Sequence, residues 1–157
     1  MKRSLVFTLL VAVVSAVMTA QTNKEEVDLY QSIFGMEKKA IVASFVDPEG
    51  NLGDSFWSLY DQYETERKAL GQKRIDLLER YVQNYNQVTD EKLDALVAEM
   101  IKLKSSTDKL MNQYYKKIRK ASGAKAATQF FQLENYFSSA IRLSIYDNIP
   151  FIGELEK

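Results

Sequence analysis

The chain reads as an all-α protein, a long antiparallel helical hairpin with two further helices packed on it in a bundle-like arrangement. Three observations predict this. Apolar residues recur at helical spacing along four stretches. Prolines and glycines number only 2 and 6 in 157 residues, which leaves little room for turns. The strong turn signals are confined to short segments, so long helices must fill the space between them.

The first twenty residues predict a targeting segment rather than part of the fold. Lys2 and Arg3 give a positive start, an apolar run follows to Met18, and a small residue, Ala20, precedes Gln21. This is the pattern of a cleaved secretory signal, so 21–157 is expected to form a single exported domain. The expected location is extracytoplasmic, in a bacterial periplasm. No cysteine follows the apolar run, which argues against a lipid-modified anchor, and no stable membrane anchor is expected after cleavage.

The first helix is expected to begin at Thr22, with Glu25 and Glu26 in its opening turn. Val27, Tyr30, Phe34, Ile41 and Phe45 share one face. The turn-forming run Asp47–Gly53, with Pro48 disfavouring a helical Asp47, places its end near Ser44–Val46. Asp54 or Gly53 then caps a long helix over Asp54–Asn86, whose stripe is Phe56, Leu59, Tyr63, Leu70, Leu77, Tyr81 and Tyr85. Thr89 caps the third helix, with Asp90 and Glu91 in its first turn. Its stripe runs from Leu93, Leu96, Val97, Met100 and Leu103 to Met111, Tyr114 and Ile118, interrupted by Lys104 and Thr107. So short a link between two long helices requires an antiparallel hairpin. Ser122-Gly123 ends the third helix. A fourth follows over Ala124–Asp147, with Ala126, Phe130, Leu133, Phe137, Ile141 and Ile145 inward; beyond it Phe151 is expected to dock and Glu154–Lys157 to fray.

Composition narrows the functional classes. There is no His and no Cys, so imidazole bases, the usual nucleophile–His pairs and the common zinc ligands are missing. No catalytic residues, metal site or cofactor are expected. Basic and acidic residues number 21 each, and removal of Lys2 and Arg3 leaves 19 against 21. Such a balance does not favour nucleic acid. Carboxylates at Asp61, Glu64, Glu66 and Glu79 alternate with Arg67, Lys68, Lys73 and Arg80, the pattern of a solvated helix face. The basic run Lys116–Lys120 lies where cations complement a helix C-terminus, although it could also meet a membrane surface or polyanion.

Two features break the apolar pattern. Arg67 and Arg74 fall near the centre of the second stripe, and Glu134 falls near the centre of the fourth, between Phe130 and Phe137. Charges turned into a core must find partners, so Glu134 is expected to accept a forked pair of bonds from Arg67 or Arg74. The same three residues could instead hold a small anionic ligand between helices. The second feature is a surplus of aromatics. Trp57, Tyr60, Tyr115 and Phe131 exceed what one stripe per helix buries; they could close a second layer against the first helix, pair two copies in a homodimer, or contact another protein.

Three stretches carry a family resemblance. They are Ser55-Phe56-Trp57-Ser58-Leu59-Tyr60, then Arg80–Tyr85 with Val88-Thr89-Asp90-Glu91, and Phe130-Phe131-Gln132-Leu133-Glu134-Asn135 followed by Ile149-Pro150. In this order they resemble a group of small exported bacterial helical proteins, sometimes labelled transcriptional regulators. That group usually carries a Leu-Pro-Pro-like segment before the last helix, where this chain has Ala121-Ser122-Gly123-Ala124. The regulator label gains nothing from these residues, because an exported domain without a basic face does not meet DNA. More distantly, the long hairpin resembles the Spy/CpxP-type periplasmic chaperones. Their Leu-Thr-x-x-Gln motif is only partly matched by Val88-Thr89-Asp90-Glu91-Lys92, and the His-rich tail of the related metal sensors is lacking. The resemblance implies a non-enzymatic, chaperone-like or envelope-stress accessory protein that holds unfolded or envelope proteins, as a cradle-like helical dimer.

Overall fold

A computed structural model describes residues 37–48, 52–149 and 151, apart from the side chain of Asn86. The proposed signal segment, the start of the first helix and the tail beyond Phe151 lie outside the described residues. The described fold is all-α. Helix α1 is Lys38–Phe45, α2 is Gly53–Gln83 and α3 is Asp90–Asn148, with a 3₁₀ turn at Tyr85–Gln87 before α3. The residues cluster into two compact units, one spanning 42–134 and the other containing 37–41 and 135 onward.

Within the larger unit, α2 and the opening of α3 form the expected antiparallel hairpin. The contacts descend along α2 as they climb along α3: Arg80 meets Glu99, and Tyr63 and Glu66 meet Tyr114. Thr89 accepts a bond from the Lys92 amide at 3.4 Å, as a residue capping the N-terminus should. The same hydroxyl helps hold the Glu91 carboxyl below its usual range, after the backbone amide of Glu91 itself. At the other side of the turn, α2 ends three residues earlier than its apolar spacing suggests. Asn84 folds its side-chain amide onto the Arg80 carbonyl at 2.7 Å, satisfying an orphan carbonyl of the last turn.

Helix α3 is broken at Gly123, where φ is 86° and ψ is 168°. This backbone region is open essentially only to glycine. Within the larger unit it turns residues 124–134 back on the arm 90–122, so that Tyr115 and Phe131 face each other with ring centroids 5.6 Å apart. The expected division between a third and a fourth helix is this break. A Cβ at Gly123 would meet no atom within 4 Å, so the requirement for glycine is conformational and not steric.

The start of α2 differs from expectation. Neither Gly53 nor Asp54 caps it; Leu52 occupies the cap position without a side-chain bond. Asp54 lies inside the first turn, where its charge complements the helix dipole. The face of α1 also differs. Ile41 is buried as expected, but Phe45 is 60% exposed, and Lys38, Val42 and Val46 are buried instead.

In the smaller unit, Phe137, Ile141 and Ile41 are buried. The buried Lys38 ammonium lies 5.4 Å from the centroid of the Phe137 ring, a cation–π contact. Phe151 is 66% exposed, contrary to the expected docking.

Candidate functional site

The core of the larger unit is an aromatic ladder built from one face of α2. Phe56, Tyr60 and Tyr63 succeed one another at helical spacing and are almost fully enclosed. Tyr63 sits at its centre, with ring centroids 5.5 Å from Tyr114 and 4.9 Å from Phe130, both edge-on. Edge-to-face geometry sets the positive rim of one ring against the negative face of the next.

This ladder determines where the candidate charges go. The Tyr63 hydroxyl donates to Glu134 Oε2 at 2.7 Å, in a setting where Glu134 is only 2% exposed. Burial, and then the Glu134 carboxylate, hold the Tyr63 hydroxyl far above the ordinary tyrosine range. The expected fork from arginine to Glu134 is therefore replaced. Arg67 closes its fork on Glu64 of its own helix, with Nε to Oε1 at 2.7 Å and Nη2 to Oε2 at 3.0 Å. A partner three residues away is reached with little loss of side-chain entropy, whereas Tyr63 projects from the stripe directly at the fourth-helix segment. Arg74 is half-buried on the same helix. Both arginines are half-buried, and among the described residues Glu134 accepts from Tyr63.

Glu66 of α2 also holds a structural partner. Tyr114 donates to Glu66 at 2.6 Å, and burial followed by this contact pushes the Tyr114 hydroxyl up to about 12. Arg80 grips Glu99 through both terminal nitrogens, tying the two helices near the turn.

The aromatic candidates for partner contact turn inward. Tyr60 is fully buried, and Trp57 packs edge-on against Phe56 and Tyr60. Tyr115 and Phe131 are half-buried and pair with each other across the break.

One group of exposed apolar residues lies near the tip of the hairpin. Val97, Met100 and Ile101 are 52%, 41% and 65% exposed and share one face of the arm 90–122. They were expected in part to be core: Val97 and Met100 belong to the third stripe, yet the buried part of that stripe begins only at Met111. Beside them, Leu77, Tyr81, Val88, Leu93 and Leu96 line an open cleft of about 230 Å³, with Arg80, Glu99 and Lys92 at its rim. The cleft involves none of Arg67, Arg74 or Glu134. The signal for this patch was present in the sequence as Leu93–Leu103, which is apolar on more than one face. Comparison of the chain with protein-family models, curated proteins and solved structures finds no match.

Proposed function

We propose that this is a non-enzymatic helical protein that acts by protein–protein contact, holding apolar segments of unfolded or envelope proteins at the hairpin tip. The observation that carries the reading is the exposed group Val97, Met100 and Ile101 beside an apolar cleft with a charged rim. A contiguous apolar patch rimmed by polar groups is a mark of a protein-binding surface. Its composition suits loose, adaptable capture: an unbranched, polarisable methionine between two β-branched residues, with no group that selects one side chain over another. The aromatic ladder and the Tyr63–Glu134 bond, by contrast, support a rigid base for the arms.

The reading is tested by light scattering from an unrelated protein unfolding under heat or reduction. The protein at near-stoichiometric amounts is expected to suppress the aggregation. Absence of suppression at that ratio, in a sample whose own helical content persists, overturns the proposal.

A further inference from the structure

The charge of this chain is sharply segregated. Between positions 102 and 125 there are eight basic residues and one acidic residue, a local net charge of +7, in a chain holding 21 of each sign. Part of this follows from the helix dipole, which favours cations in the last turn before Gly123. That effect fades within a turn and does not reach Lys102 or Lys109. Lys102, Lys109 and Lys116 recur every seven residues, with Lys120 four further on, and all four are exposed. This spacing aligns them on one face of the arm 90–122 over about 27 Å, at ~1.5 Å per residue. The acids on the flanking faces already have partners: Asp108 takes Lys104 at 2.7 Å, and Glu99 takes Arg80.

We propose that this lysine face seats the arm on the surface of an anionic lipid bilayer. A straight row of cations matches the phosphates of a flat headgroup layer, and long lysine stems let each ammonium settle at phosphate level. A single-stranded nucleic acid fits less well. Its binding relies on exposed aromatic side chains for stacking, and Tyr114 and Tyr115, the aromatics of this arm, are buried or half-buried. The attachment is peripheral, since among the described residues no helix is long and apolar enough to cross a membrane. Val97 and Ile101 lie more than about 60° around the helix from the lysine row, so a seated arm keeps the apolar patch open to a partner. The inference does not depend on that patch binding anything.

The test is co-sedimentation of the full chain with vesicles of phosphatidylcholine containing phosphatidylglycerol, against phosphatidylcholine alone. Binding is expected only to the anionic vesicles, and is expected to weaken as salt rises, because headgroup attraction is screened. The triple variant Lys102→Gln, Lys109→Gln, Lys116→Gln should lower the partition coefficient by roughly two orders of magnitude, at about 1 kcal/mol per basic residue near the surface. The corresponding arginine variant should retain binding, and both should keep the wild-type helical circular dichroism. Suppression of aggregation by the glutamine variant should be unchanged, which separates this proposal from the preceding one. No binding to anionic vesicles, equal binding to neutral ones, an unaffected glutamine variant, or binding to a nucleic acid without binding to vesicles would each overturn it.

Discussion

At the scale of single residues, the Tyr63–Glu134 bond is the most consequential contact. Tyr63→Phe removes a buried donor to a carboxylate and should cost roughly 1–3 kcal/mol. Its pH dependence has a definite sign. The folded Tyr63 hydroxyl resists ionisation, while the unfolded one ionises near the ordinary 10.0. Above that pH the folded state binds more protons than the unfolded state, so stability falls as pH rises. The contribution is complete below about pH 10 and erodes above it, by up to ~1.4 kcal/mol per pH unit for one proton. Urea melts between pH 9 and 11 should show this decline in the wild type, with a shallower decline in Tyr63→Phe. Tyr114, pushed up to about 12, contributes a smaller part of the same trend. The inward placement of Glu134 was legible from its position between Phe130 and Phe137, because a helix repeats its faces regardless of residue type. Its partner was not legible. Helical spacing says which way a side chain points, but not which of several donors on the facing stripe arrives first.

At the scale of elements, Gly123 governs how α3 is used. With φ at 86°, any L side chain there is strained. Gly123→Ala should therefore destabilise by roughly 1–3 kcal/mol even though a methyl group has room. A thermal melt would read this as a drop of several degrees, and an unchanged melting temperature would mean the break is not enforced. The division at Ser122-Gly123 and the Thr89 cap were both readable, since each rests on local backbone chemistry. The cap of α2 and the exposed Phe45 were not, because they depend on which neighbouring segment covers each face. The third stripe shows the same limit: Val97 and Met100 have the period of core residues, and only the extent of the facing helix decides whether they are covered.

At the scale of the whole molecule, the aromatic residues of α2 build the core of the larger unit, while the hairpin tip leaves the aliphatic Val97, Met100 and Ile101 exposed. Of the roles that the sequence leaves open for Trp57, Tyr60, Tyr115 and Phe131, their contacts fit the structural one. Changes in the core should reduce stability, whereas Val97→Asp with Ile101→Asp should leave the melting temperature within a few degrees of wild type, because both side chains are already exposed. The most direct measurement is the affinity of that double variant for a fluorescently labelled, permanently unfolded apolar polypeptide, followed by anisotropy beside the wild type. The account predicts binding by the wild type and at least a tenfold loss in the variant, equivalent to about 1.4 kcal/mol or more. Equal affinity in the two proteins would contradict it and remove the hairpin tip as the binding surface.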